Sequence, residues 1–154
     1  MKKLQLIHKF EANQHDFVRE NLLDLRRFGK YHPVMTSVKQ IGQKGNTYTA
    51  FEVEEKTRLL GFIPMKPKYK ALVSEGANGS IRYDSQVKKN VRLQIDFKFE
   101  MTGPICVVTE DILVEGNKLI AGIFIGILNK MHLQTMENMR LNRIAKKSKE
   151  YSVE

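Results

Sequence analysis

The chain has 154 residues, of which 42% are hydrophobic and 28% are charged, so its size and composition are those of one globular domain rather than two. This apolar content excludes wholesale disorder, a collagen-like fibre and a disulfide-held miniprotein. The formal net charge of +9 makes nucleic acid and anionic lipid admissible partners without choosing between them.

The sequence predicts a soluble, cytoplasmic protein. Its single cysteine, Cys106, has the apolar neighbours Ile105 and Val107, which is typical of an inert buried thiol. The N-terminus is polar and acidic by Glu11, so we expect no secretory signal. The most apolar window, residues 119–128, is shorter than the roughly 20 residues of a membrane-spanning helix.

The first third of the chain predicts a strand followed by two short helices. Residues 3–10 alternate, and this places Leu4, Leu6, His8 and Phe10 on one side. The apolar residues from Phe17 to Phe28 then recur at helical spacing but cover too long a stretch for one tight helix. We expect two short helices that meet near residue 21 and end at Gly29, a residue that commonly stops a helix.

From residue 34 to residue 115 the apolar period changes to two, which predicts antiparallel strands joined by short turns. The strongest alternation runs from residue 91 to residue 101, with apolar residues at odd positions and polar residues at even positions, so one face of this strand must be buried. The predicted strands are 34–43, 46–59, 68–74, 80–87, 91–101 and 105–115.

After Gly116 the pattern is helical again, and no proline interrupts it before Lys147. The apolar face of this helix is irregular, which indicates either a bend near Gly122 and Gly126 or contact with two surfaces. A sheet with one apolar face needs a cover, and this helix is the only predicted element long enough to provide it. The expected domain is 1–147, followed by a charged, frayed tail at 148–154.

Three segments together resemble the START-like helix-grip (SRPBCC) superfamily, and within it the polyketide cyclase/dehydrase and lipid-transport group. They are residues 13–28 after the first strand, the Tyr31-His32-Pro33-Val34 entry to the second strand, and residues 131–145 after the glycine-containing 122–128 segment. The resemblance implies an α+β fold in which a curved antiparallel sheet of six to seven strands wraps around the long C-terminal helix.

The resemblance also implies an internal cavity for a hydrophobic or amphipathic small molecule, such as a lipid, a polyketide, or a sterol- or quinone-like compound. Some members of the group are enzymes and many only bind or carry a ligand, so the fold leaves both roles open. We expect a binding protein or carrier, with a cyclase- or dehydrase-type enzyme as the alternative. The sequence predicts no oligomeric state.

Three weak candidates for acid–base catalysis are His8, Glu55 and Asp111. By alternation each lies on a strand face that also carries apolar residues, and burial in a cavity would suit such groups to proton transfer. The competing interpretations are a hydrogen-bonded core histidine, a solvated strand end and an edge ion pair. The four histidines have no metal-ligand spacing, so we expect neither a metal nor a cofactor.

Aromatic and aliphatic residues on the predicted inner faces are candidate ligand contacts. Tyr69 and Tyr83 combine a ring with a hydroxyl that can orient an amphipathic ligand, although plain core packing explains them equally well. The predicted ligand-binding residues are Phe51, Val53, Tyr69, Tyr83, Ile95, Phe97, Phe99, Phe124, Leu128, Met131 and Thr135.

The connection at residues 59–67 is unusually apolar for a loop, because it contains Leu60, Phe62, Ile63 and Met65. Loops are normally polar, so we expect these four residues to close the mouth of a pocket. Lysines at 66, 68 and 70 would then surround the mouth with positive charge, which suits an acidic ligand head or a transient contact with an anionic membrane.

A second group of basic residues lies at the C-terminal end of the last predicted helix. Cations there complement the helix dipole and keep the surface soluble. It consists of Arg140, Arg143, Lys146, Lys147 and Lys149. A contact with RNA or the ribosome is a weaker alternative, because the sequence lacks the interleaved aromatic and basic residues of RNA-binding sheets.

Overall fold

The computed structural model describes residues 1–59 and 61–147, and these form a seven-stranded antiparallel sheet with three helices. The helices are α1 (His15–Leu23), α2 (Leu25–Tyr31) and α3 (Lys118–Arg140). The strands are β1 (Lys2–Glu11), β2 (Met35–Lys44), β3 (Tyr48–Glu55), β4 (Thr57–Leu59), β5 (Ile63–Met65), β6 (Lys68–Glu75), β7 (Ile81–Lys88), β8 (Val91–Thr102) and β9 (Ile105–Glu115).

The sheet has the strand order β1-β9-β8-β7-β6-β3-β2, while β4 and β5 form a separate hairpin. Every neighbouring pair is antiparallel. Pairing of β1 with β9 sets His8 opposite Val108 and Leu6 opposite Glu110. Side chains opposite each other share a face, so His8 and Glu110 are diagonal neighbours on the inner side of the sheet.

The two short helices meet at Asp24 rather than near residue 21, because the backbone of Asp24 is extended and its carboxylate caps α2 by accepting from the amide of Arg26 at 2.9 Å. Together α1 and α2 cover one end of the inner face. There Phe28 contacts Tyr83 edge-to-face at 5.8 Å between ring centroids, and Tyr83 contacts Phe97 at 4.9 Å. Phe28 and Tyr83 also border a cavity in the core.

Helix α3 crosses the sheet and differs between its two halves. Its second half buries six residues, Met131, His132, Thr135, Met136, Asn138 and Met139. Its first half is less buried although more apolar, and Leu119 is 73% exposed. By length and composition alone α3 could also cross a membrane, and most of its buried residues lie in its second half.

Three further expected boundaries are wrong. Helix α2 continues past Gly29 and ends at Tyr31. The helix predicted to run to Lys147 ends at Arg140, because Asn142 adopts a left-handed conformation (φ 49°). The amide of Asn142 donates to the carbonyl of Met139, and that of Arg143 donates to the carbonyl of Asn138. Asparagine thus supplies the left-handed stop that glycine usually provides.

The strand predicted for residues 46–59 is also interrupted. Strand β3 ends at Glu55, and the next residues leave the sheet to form the β4–β5 hairpin. The predicted tail at 148–154 lies outside the described residues.

Candidate functional site

An apolar cavity lies between the inner face of the sheet and the first half of α3, and the β4–β5 hairpin borders it. The sheet contributes Ala71, Leu93 and Ile95, and α3 contributes Phe124, Ile127 and Leu128. The cavity has a volume of about 70 Å³, whereas sites for drug-sized ligands enclose roughly 300–1,000 Å³. A ligand of that size therefore requires the first half of α3 or the hairpin to move outward.

Two glycines in the first half of α3 have open space beside them. A side chain added at Gly122 or Gly126 would meet no heavy atom within 4 Å, so close packing is not the reason for either glycine. The helix is anchored instead by its buried second half. Contacts of this kind favour hinge-like displacement of the first half over movement of the whole helix.

A buried carboxylate joins two histidines behind the cavity wall. Glu110 of β9 is 0% exposed; its Oε1 lies 2.9 Å from Nε2 of His8, and its Oε2 accepts from Nδ1 of His132. An ionised carboxylate only accepts hydrogen bonds, so both of these ring nitrogens carry protons. His132 borders the cavity, and its Nδ1 is the ring nitrogen that Glu110 holds.

Burial alone would raise the pKa of Glu110, but the two histidines lower that pKa to about 2. In the same pair, burial would lower the pKa of His132, and the Glu110 carboxylate instead raises it. Each group thus favours the charged form of the other, and their pairing compensates for removing the two charges from water.

Three more polar groups gather at this inner end. Burial raises the pKa of Glu55, and a hydrogen bond with Tyr69 opposes the rise only in part. Burial, and then the charge of His132, hold the pKa of His32 well below its ordinary value. His32 is therefore neutral, and its Nδ1 accepts the Val34 amide at 3.3 Å.

Lys147 approaches the same end from outside the cavity wall. Its Nζ donates to the carbonyl oxygens of Gly29, at 2.9 Å, and His32. Burial lowers the pKa of Lys147 to about 8, although the charge of Glu55 opposes the shift. The lysine thus caps the end of α2 and adds positive charge near Glu55.

Among the predicted catalytic residues, the structure brings only Glu55 to the cavity. His8 is on the inner face as expected, but it packs behind the wall against Glu110. Placing Asp111 on the inner face is wrong: it lies on the outer face, where it accepts from Gln5 at 2.8 Å and pairs with Lys98 at 3.5 Å. Convergence of His8 with Asp111 is therefore excluded, since the two lie on opposite faces.

The structure divides the predicted ligand-binding residues into two groups. Those that border the cavity are Tyr69, Tyr83, Ile95, Phe124 and Leu128. Those that do not are Phe51, Val53, Phe97, Phe99, Met131 and Thr135. For the residues on strands, alternation gives the face of the strand but not the position along it, so it does not separate cavity residues from the rest of the core. Ligand contact by the first group stays a prediction.

The hydroxyl of Tyr83 donates to the backbone carbonyl of Leu22. This bond ties α1 to the sheet and uses the group that we expected to orient a ligand. Tyr83 therefore offers the cavity its ring rather than its hydroxyl.

Of the predicted mouth residues, Met65 borders the cavity, Phe62 is 68% exposed and Ile63 is also exposed. Leu60 lies outside the described residues. The prediction that lysines surround the mouth with positive charge is wrong for Lys68. Its side chain points to the outer face and pairs with Glu52 and Glu54.

Alternation along β6 sets Lys70 on the outer face as well, opposite to Tyr69 and Ala71. Of the three lysines, only Lys66 is on the hairpin side and exposed.

The basic end of the chain is largely engaged within the fold. Arg140 pairs with Glu137 at 2.6 Å, Arg143 donates to the side chain of Asn138, and Lys147 caps α2. Lys146 is exposed, and Lys149 lies outside the described residues. These contacts favour the structural interpretation of the basic group over nucleic-acid binding.

Within residues 1–59 and 61–147, no group of three or more His, Cys, Asp or Glu side chains is arranged to hold a metal ion. The single cysteine, Cys106, is buried on β9, and burial raises the pKa of its thiol.

No family model and no curated protein sequence matches the chain. Solved structures do match it over most of its length. A START superfamily protein from Mycobacterium smegmatis aligns with a TM-score of 0.72 at 11% identity, covering 91% of this chain and 97% of that one. The protein TTHA0849 from Thermus thermophilus aligns with a TM-score of 0.68 at 15% identity, covering 92% and 98%.

A third similar structure is the di-domain ARO/CYC StfQ from the steffimycin biosynthetic pathway. It aligns with a TM-score of 0.68 at 11% identity, over 90% of this chain and 45% of that one. Together with the strand order and α3, these similarities confirm that the chain has the START-like helix-grip fold. At such identities they establish the fold alone.

Proposed function

We propose that the protein binds a hydrophobic or amphipathic small molecule between the sheet and the first half of α3, and acts as a binding protein or carrier in the cytoplasm. The supporting observation is the cavity itself, which has apolar walls on three sides and a small polar group at one end. Such a combination is typical of sites that take up an apolar body and orient one polar head.

The exposed apolar residues near the cavity suggest the route of entry. Leu119 lies in the first turn of α3, and Phe62 lies at the tip of the hairpin. Both elements border the cavity, so outward movement of either one would open a route to the interior.

A matched pair of tryptophan variants tests this proposal. Leu128 borders the cavity, whereas Leu133 is on the same helix, 46% exposed and away from the cavity. The natural chain contains no tryptophan, so each variant also gains a single fluorophore. We expect Leu128→Trp to lower affinity for apolar ligands at least tenfold, and Leu133→Trp to leave it unchanged.

Affinity would be measured by native mass spectrometry of gently purified protein and by titration with medium-chain alcohols and fluorescent lipids. Equal binding by the two variants would place the ligand elsewhere. Failure of the wild-type protein to bind any apolar probe would overturn the proposal.

We further propose that the hairpin contacts an anionic membrane transiently. Phe62 and Ile63 are exposed beside Lys66, and apolar side chains next to a cation insert favourably into an anionic lipid surface. The variant Phe62→Ser should reduce flotation with vesicles containing phosphatidylserine. The control Ile7→Ser removes another exposed apolar side chain from the outer face of β1 and should have no effect; equal loss in both variants would contradict the proposed contact.

A cyclase- or dehydrase-type enzyme is the second candidate function. One observation favours it: His132 and Glu55, two titratable groups, border the same cavity. The test uses an enolisable ketone as the ligand. Nuclear magnetic resonance monitors the exchange of its acidic proton for deuterium in heavy water. Exchange that is abolished in the His132→Gln variant would support an enzyme. Absence of exchange with the wild-type protein would contradict the enzyme and leave the carrier function as the proposal.

A further inference from the structure

We propose that the inner end of the cavity anchors the carboxylate head of an apolar ligand, with Nε2–H of His132 as the donor and Glu110 as the group that positions and charges the ring. The inference rests on the proposed function, because it concerns the head group of the ligand in the same cavity. It predicts selectivity for acids over alcohols of equal chain length.

The first argument is the fixed orientation of His132. Its Nδ1 is bound to Glu110, whose other oxygen is held by His8. All three side chains are buried, so the carboxylate cannot turn away to water. Nε2 lies on the opposite edge of the ring from Nδ1, and the ring borders the cavity. A preorganised donor of this kind loses little freedom when it binds an acceptor.

The second argument is charge. Glu110 supplies one negative charge, while His132 and Lys147 supply two positive charges near the inner end. Burial favours the neutral forms of Glu55 and His32, so positive charge is in excess in this group of side chains. A single carboxylate balances it, and a charge-assisted hydrogen bond to that carboxylate is stronger than one to a neutral hydroxyl.

The third argument is the second carboxyl group. Glu55 borders the same cavity and interacts with Tyr69. As a neutral acid it can donate a hydrogen bond to the ligand carboxylate, whereas as an anion it repels the ligand. Glu55 and Glu110 should therefore act in opposite directions on the affinity for acids.

The pH dependence follows from these groups. The ionisable side chains around His132 come from each element packed against it: Glu110, His8, Glu55, Tyr69, Tyr83, His32 and Lys147. Rising pH removes the positive charge of His132 and adds a negative charge to Glu55, and each of these pKa values is raised above its ordinary value. Both changes expel a carboxylate, so selectivity for acids should fall with rising pH.

The experiment compares decanoic acid with 1-decanol by isothermal titration calorimetry on the full chain between pH 6 and pH 9. At pH 6 we expect the acid to bind at least tenfold more tightly than the alcohol, and the ratio to fall as pH rises. His132→Gln and Glu110→Gln should bring the ratio close to one while decanol still binds. Glu55→Gln should instead preserve selectivity for the acid at higher pH.

The neighbouring outward residue provides a matched control, since Asp111→Asn changes a carboxylate on the other face of β9 and should leave the ratio unchanged. Equal affinities of the wild-type protein for acid and alcohol at pH 6 would overturn the inference and leave the proposed function standing. Binding of neither would overturn the proposed function itself. If Glu110→Gln does not fold, His132→Gln decides the result, because unchanged selectivity in that variant refutes the anchor.

Discussion

The buried Glu110 should control how the protein responds to acid. Its pKa is about 2 in the folded protein, against an ordinary value of 4.5. A carboxyl group whose pKa is lowered by folding stabilises the fold above its unfolded pKa, and this contribution is lost as pH falls towards the folded pKa. Wild-type stability should therefore decrease between about pH 5 and pH 2 because Glu110 becomes protonated.

The size of the effect follows from the two pKa values. The difference between 4.5 and about 2 corresponds to roughly 3 kcal/mol, at 1.36 kcal/mol per pKa unit. The variant Glu110→Gln lacks this charge at every pH and leaves His8 and His132 facing a neutral amide. Removing one partner of a buried ion pair costs about 3–5 kcal/mol, so the variant should be clearly less stable at pH 7.

Urea denaturation followed by circular dichroism at pH 7, 5, 4, 3 and 2 measures both effects. The difference in free energy of unfolding between wild type and Glu110→Gln should be largest at pH 7 and should shrink by about 3 kcal/mol towards pH 2. Asp111→Asn is the control, because its partly exposed contacts on the outer face contribute at most about 1 kcal/mol. A difference between wild type and Glu110→Gln that stays constant with pH would refute the reasoning.

Three further substitutions test the architecture by thermal and urea denaturation. Asp24→Ala removes the cap of α2 and should cost about 1 kcal/mol; no loss would mean that the cap is dispensable. Gly116→Ala should cost more than about 1 kcal/mol, because its φ is 153° and a side chain there would lie 2.9 Å from the carbonyl oxygen of Asn90; wild-type stability would contradict this close approach. Tyr83→Phe leaves the carbonyl of Leu22 without its hydroxyl donor. This should lower the free energy of unfolding by about 1–3 kcal/mol without changing ligand affinity. Weaker ligand binding would show that the hydroxyl does contact the ligand.

The sequence predicts the faces of most strands but fails on β9. There both faces carry apolar residues, so the pattern does not reveal which face is inside. The apolar outer residues Val107 and Leu113 are half-buried, and Glu110 occupies the inner face instead of its neighbour Asp111. A carboxylate on an inner face is stable only beside partners from distant segments, here His8 and His132, and single-strand periodicity contains no information about them.

Position along a strand is the second limit of the sequence pattern. On β8, Leu93, Ile95 and Phe97 share the inner face, but the first two border the cavity and Phe97 packs against Tyr83 beneath the helices. All three residues occupy equivalent positions in the alternation of apolar and polar residues along β8. What separates them is the placement of α1 and α2, which depends on tertiary packing rather than on the local sequence.

The interior of this protein places a charged group that is costly to desolvate beside apolar side chains. Phe28 of α2 contacts His132 at 5.8 Å between ring centroids, and His132 belongs to the His8–Glu110–His132 group. Apolar side chains of similar volume often stabilise a core as well as a buried ion pair, or better. Compared with such side chains the fold gains little from these charges, although loss of Glu110 alone is costly, and a fixed donor beside a cavity is the use to which their position is best suited.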